Sequence, residues 1–103
     1  MYKLCFFVPE SHLEPVKRAL FKLGAGQIGD YDHCCWQVKG LGQFRALEGS
    51  CPYIGQQGQL EEVEEFKVEM VCKDDLIKEV VEVLKRAHPY ETVAYEIYRL
   101  EMV

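Results

Sequence analysis

The spacing of apolar and polar positions changes several times along the chain, and each change marks an element. Residues 2–8, Tyr-Lys-Leu-Cys-Phe-Phe-Val, form an aromatic and β-branched run with one charge, which predicts a strand. The period then lengthens to helical spacing at Leu13, Val16, Leu20 and Leu23. Ser11 and Glu14 read as a capping box for this helix, Pro15 falls in its first turn, and Gly24 supplies the terminator. Strict alternation returns at residues 31–39. It places Tyr31, His33, Cys35 and Gln37 on one face and Asp32, Cys34, Trp36 and Val38 on the other. The Trp36 face is expected to be the buried one.

A Gly- and Gln-rich segment, residues 40–58, follows, and connections of that length in a compact domain often carry function. Phe66, Val68, Met70 and Cys72 alternate as a third strand. Asp74 or Asp75 is the expected cap of a second helix with the stripe Ile77, Val80, Val81 and Leu84, which must stop before Pro89. Val93, Tyr95 and Ile97 mark a fourth strand. The order strand, helix, strand, strand, helix, strand predicts an α+β fold, a ferredoxin-like βαββαβ sandwich with an antiparallel sheet and two helices on one face. The other face is left open. Tyr2, Phe7, Tyr31, Tyr95 and Tyr98 are the residues expected to coat it, and an uncovered apolar face of that kind calls for a homo-oligomer.

Composition narrows the picture. With 103 residues, 49% of them hydrophobic, the chain has material for one core, so residues 1–103 are expected to form a single domain. A net charge of −5 argues against a broad grip on nucleic acid or an anionic membrane surface. The apolar opening stretch ends at Pro9-Glu10, short of a signal sequence or the ~20 residues of a membrane span, and the expected location is cytoplasmic. Five irregularly spaced cysteines read as reduced thiols packed as small apolar groups.

Four strings carry candidate chemistry. Residues 24–29 satisfy the dinucleotide pattern G-x-G-x-x-G, but they follow a helix and lead towards a strand, so the helix dipole faces the wrong way. A helix terminator and a tight turn are expected there, with no nicotinamide or flavin dinucleotide bound. Asp32-His33-Cys34-Cys35 holds metal-capable atoms, yet it lacks regular zinc spacing, which favours a structural histidine beside buried thiols. In His88-Pro89-Tyr90-Glu91 an imidazole sits past a helix C-terminus, proline sets an extended exit and a carboxylate can accept a hydrogen bond. The run Glu61-Glu62-Val63-Glu64-Glu65 reads as a solvated edge without a role.

Several strings in order resemble the inserted domain of the NIF-three-like family. They are Val8-Pro9-Glu10, residues 24–34, Leu47-Glu48-Gly49, Pro52-Tyr53-Ile54-Gly55, and Ala87-His88-Pro89-Tyr90-Glu91 with Ala94-Tyr95. The resemblance runs nearly end to end and implies a stand-alone copy of that domain. The domain is similar in fold to the trimeric CutA and PII signalling proteins, which implies assembly through the sheets. The histidine and glutamate ligands of the family's two-metal centre lie in flanking domains and have no counterpart among these residues.

The expectation is therefore a non-enzymatic oligomeric module for binding, sensing or scaffolding, with a small ligand or a protein as partner. Its ligand pocket is expected near His33, Glu48, Tyr53, His88 and Glu91. A second reading is a metal-dependent hydrolase with a divalent metal ion held by His33 and His88. A third is a thiol redox sensor using Cys34 or Cys35.

Overall fold

A computed structural model describes all residues, 1–103. The elements follow the expected order: β1 (Tyr2–Val8), α1 (Glu10–Lys22), β2 (Trp36–Arg45), β3 (Leu60–Cys72), α2 (Ile77–Ala87) and β4 (Tyr95–Arg99). They build an antiparallel sheet in the order β2-β3-β1-β4, the arrangement of a ferredoxin-like α+β fold.

Strand alternation explains where the core sits. Leu4, Phe6 and Val8 of β1 pair with Met70, Val68 and Phe66 of β3, and this set faces the helices. Val16 and Leu20 of α1 and Val80 and Leu84 of α2 close over it without solvent exposure. Each such side chain contributes roughly 1.5–3 kcal/mol by leaving water.

The end of α1 follows the chemistry expected of Gly24. Gly24 adopts φ +106°, its N–H donates to the Phe21 carbonyl at 3.0 Å, and the Ala25 N–H donates to that of Leu20 at 3.2 Å. This pair of bonds is a Schellman motif, which satisfies carbonyls the helix leaves unpaired. Gly26 (φ +77°) and Gly29 (φ +56°) then turn the chain, and Ile28 and Tyr31 bond each other across the turn. The glycine string thus ends a helix.

Several local expectations need correction. The capping box does not form: α1 starts at Glu10, with Pro9 as N-cap at φ −67°, and the Ser11 hydroxyl bonds His12 Nδ1 at 2.8 Å inside the helix. Proline supplies the extended entry there, and the acid Glu10 meets the positive end of the dipole. Neither Asp74 nor Asp75 caps α2, whose N-cap is Leu76; Asp74 is held by the N-terminal amine and by Arg99.

The largest correction concerns β2. The strand begins at Trp36 and continues through Gly40 and Gly42 to Arg45, so residues 31–35 lie outside it. Its register sets Gln37 opposite the buried Val68 and Trp36 opposite Glu69, which turns the Trp36 face away from the helices. Trp36 is 69% exposed and Val38 51%. Of the residues expected on the open face, only Phe7 and Tyr98 share the strand parity of Trp36 and Val38. Tyr95 packs against the core, Tyr2 lies under Arg99 on the helix-facing parity, and Tyr31 sits in the turn.

Only Phe66–Cys72 of β3 pairs with β1. Residues 60–65 pair with 40–45 alone, a two-stranded ribbon that stretches the molecule to 46 Å against 24 Å in the other directions. At the opposite end of the sheet, Tyr2 faces Arg99 and the Leu100 N–H donates to the Met1 carbonyl at 3.0 Å.

Candidate functional site

Residues 88–94 leave α2 across the end of β1, and there they meet the root of the ribbon and the loop of residues 46–59. His88 ends the helix with φ −81° and ψ 141°, the extended geometry expected before Pro89. The residue is 6% exposed. Nε2 lies 2.6 Å from the Phe7 carbonyl oxygen and Nδ1 3.1 Å from the Tyr90 backbone nitrogen. Those partners assign the Nε2–H tautomer, in which both ring nitrogens are engaged. Burial pushes the imidazole pKa down, against a smaller upward effect of the Phe7 carbonyl, and nearby His12 lowers it further.

Tyr90 continues the arrangement. Its ring stands 4.7 Å from that of His88 and 6.2 Å from that of Tyr53, and Tyr53 meets His12 edge-on at 6.1 Å. Its hydroxyl donates to Glu65 at 3.0 Å, and burial together with that carboxylate holds the phenol well above its ordinary pKa. A Cβ on Gly42 would meet the Glu65 carboxylate where it lies, so a side chain there would displace that carboxylate. Glu91 accepts the Cys51 N–H at 3.0 Å and so ties the loop to the α2–β4 connection. The loop is further closed by Gly58 N–H on the Ala46 carbonyl at 2.7 Å and by Gln57 on the Ser50 carbonyl at 2.8 Å.

These contacts frame a cavity of about 440 Å³. Phe44, Pro52, Tyr53, Ile54 and Tyr90 give it apolar walls, and Arg45, Glu65 and Glu91 are among its other lining residues. Its size and mixture of apolar walls with few polar groups match small-molecule sites in general.

Of the five site residues expected from the sequence, Tyr53 and Glu91 line this cavity. His88 stands behind Tyr90, and Glu48 lies exposed on the adjoining turn that Ser50 closes onto Leu47. His33 lies elsewhere. It is exposed at φ +55°, 3.1 Å from the Asp32 carboxylate, with its ring 4.8 Å from Phe21 near the end of α1. His12, next to the His88 side, is in the first turn of α1, nine residues earlier or about 13 Å along a helix. Within one chain the structure therefore does not bring His33 and His88 together, and no three His, Cys, Asp or Glu side chains cluster as a metal ion needs.

The strand pairing expected of His33 and Cys35 is also absent, since residues 32–35 are irregular and Cys35 packs on the core while His33 faces solvent. Cys34 is half-buried, with its thiol 3.5 Å from the Asp32 carbonyl. Cys5 and Cys72 are buried, and burial raises both thiol pKa values. Arg45 and Glu65 were missed by sequence reasoning: Glu65 was hidden in an acidic run, and the pattern carried no sign that a tyrosine 25 residues on would reach it.

No protein-family model matches the chain. The fold is ferredoxin-like, and it is one that CutA proteins share. The periplasmic divalent cation tolerance protein CutA of Archaeoglobus fulgidus superposes with a TM-score of 0.72 over 100% of this chain and 87% of its own, at 17% identity. The sequence relationship is more particular. A Bacillus cereus protein related to NIF3 gives a TM-score of 0.85 at 42% identity, covering 98% of this chain and 26% of that one. The GTP cyclohydrolase 1 type 2 homolog of Halalkalibacterium halodurans is 45% identical over 100 residues, 97% of this chain and 27% of its own length. That of Bacillus subtilis is 43% identical over 99 residues, 96% and 26%. The chain spans about a quarter of the length of the curated relatives it matches. Over nearly its whole length, it is homologous to that segment of the NIF-three-like proteins, as its strings implied.

Proposed function

We propose that this chain is a non-catalytic binding module that acts as a homo-oligomer and takes a small ligand in the cavity beneath residues 46–59. The observation that carries the reading is the construction of that cavity. Two segments far apart in sequence are tied together by Glu91 on Cys51 and Tyr90 on Glu65, around apolar space with few polar groups. Tyr53 and Glu91 contact the ligand directly in this reading. His88 supports Tyr90, and Glu48 borders the mouth. His33 joins such a site, or a divalent ion shared with another residue, only from a neighbouring copy. The activity in the longer relatives' name belongs to proteins of which this chain matches a quarter, and it is not carried over.

Assembly is supported by the open sheet face, where Trp36 and Val38 stand exposed on one edge strand and Tyr98 on the other. No helix is long and apolar enough to cross a membrane, and the reading keeps the module in the cytoplasm. Two measurements test it. Light scattering should give a multiple of 11.9 kDa that Trp36→Glu lowers; a strict monomer at micromolar concentration sinks the oligomer. A thermal-shift screen of metabolites should yield a ligand whose effect Tyr53→Ala removes, and hits indifferent to that change reject the cavity.

A further inference from the structure

His88 is the only buried side chain that titrates near neutrality. Its two ring nitrogens have opposite duties: Nε2–H donates to the Phe7 carbonyl at 2.6 Å, and Nδ1 accepts the Tyr90 N–H at 3.1 Å. The second bond fixes the start of a short segment that carries both ties to the rest of the cavity wall. Tyr90 gives its hydroxyl to Glu65 of β3, and Glu91 accepts the N–H of Cys51 in the loop of residues 46–59. No carboxylate bonds either ring nitrogen. From β1 the ring meets the Phe7 carbonyl, from α1 the imidazole of His12, and from its own connection Tyr90. Lys85 and Arg86 end α2 just before it, Tyr53 of the loop lies beyond Tyr90, and Glu65 is reached only through the Tyr90 hydroxyl.

A proton on Nδ1 turns an acceptor into a donor, and two N–H groups then confront each other across 3.1 Å. The imidazolium keeps its bond to Phe7 and has to expel the Tyr90 N–H, and with that amide goes the anchor of residues 90 and 91. We propose that His88 is an acid-operated latch: protonation at Nδ1 releases Tyr90 and Glu91, and the loop of residues 46–59 lifts from the cavity. Near neutrality the cavity is closed. Burial works against the charged ring in the closed form and is relieved in the open one, so the open fraction grows by up to about tenfold for each pH unit below the ordinary 6.5. The latch goes beyond the reading of the cavity as a ligand site, and its test uses no ligand.

Amide hydrogen exchange followed by NMR on the purified protein, from about pH 7.5 to about pH 5.5, decides it, with each rate divided by the intrinsic rate at that pH. This range stays above the ordinary titration of Glu65 and Glu91, near about 4.3. Protection of the Cys51 and Tyr90 amides should fall on the order of tenfold over the last pH unit, while the amides of β1 keep theirs. The His88 imidazole resonances should titrate over the same interval. His88→Gln should abolish the pH dependence, and His12→Gln should retain it. Protection unchanged down to pH 5.5 overturns the latch, as does a fall that survives in His88→Gln or one shared by the β1 amides, which reports loss of the whole fold. A static wall would leave the cavity as a ligand site, and a metabolite screen without hits would leave the latch.

Discussion

The strand β3 lives in two environments. From Phe66 to Cys72 it has β1 on one side, β2 on the other as far as Glu69, and helices above, and its inward side chains Val68, Met70 and Cys72 are buried. From Leu60 to Glu65 it has only β2; one face of the ribbon meets solvent, with Leu41 66% exposed and Leu60 63% exposed, and the other is half-covered at Phe44, Val63 and Glu65. The same backbone ladder runs through both halves. Hydrogen bonding alone therefore does not make a stable half; the difference is the apolar surface that the helices remove from water. In the ribbon, apolar residues are surplus to folding and available for recognition.

The sharpest way to break this comparison is to truncate matched side chains in each half. Phe6→Ala should cost about 3–5 kcal/mol, whereas Leu41→Ala and Leu60→Ala should each stay within about 0.5 kcal/mol under dilute conditions. Urea titration of the three variants checks this. A large loss at Leu60 would mean that the ribbon is buried in a contact between copies.

The next effect lies at the glycine turn. Gly26 has φ +77°, and a Cβ there would stand 2.7 Å from the Cys34 carbonyl oxygen, while Gly29 at φ +56° has open space around it. Gly26→Ala should lose about 2–3 kcal/mol and Gly29→Ala about 1 kcal/mol, since only the first adds a backbone collision to conformational strain. Equal losses in thermal melts would show that the turn relaxes around a side chain.

The smallest effect is in pH. Burial lowers the folded pKa of His88 below its ordinary 6.5, so below that value the unfolded chain binds a proton that the folded one refuses. The stability contributed is complete above pH 6.5 and is lost as pH falls from there through the lower folded value. Melting temperature should hold steady from about pH 8 to neutrality and then decline, and His88→Gln should flatten the decline. A profile that rises on acidification contradicts the neutral imidazole.

The roofed half was legible in the sequence because alternation reports a face only where one face is buried. The spacing at Leu13, Val16 and Leu20 and at Phe66, Val68 and Met70 named the core correctly, and Gly24 named the helix end. On β2, an edge strand, the polar Gln37 and Lys39 take the helix-facing side, so alternation around Trp36 and Val38 indicated a strand with the wrong boundaries and the wrong side inward. The cavity was half legible. Tyr53 and Glu91 lay in conspicuous strings, but Arg45 and Glu65 depend on how far β2 and β3 extend, which pairing decides and composition does not.

The bond between Leu100 and Met1 makes residues 1 and 100 neighbours at one pole of the sheet, while the cavity lies at the other, beyond Val8. Residues 1–100 thus form a closed excursion, leaving a point and returning to it. A unit with that outline can be grafted into a host polypeptide as a side branch: the host's own path needs a gap no wider than two adjacent strands, about 5 Å.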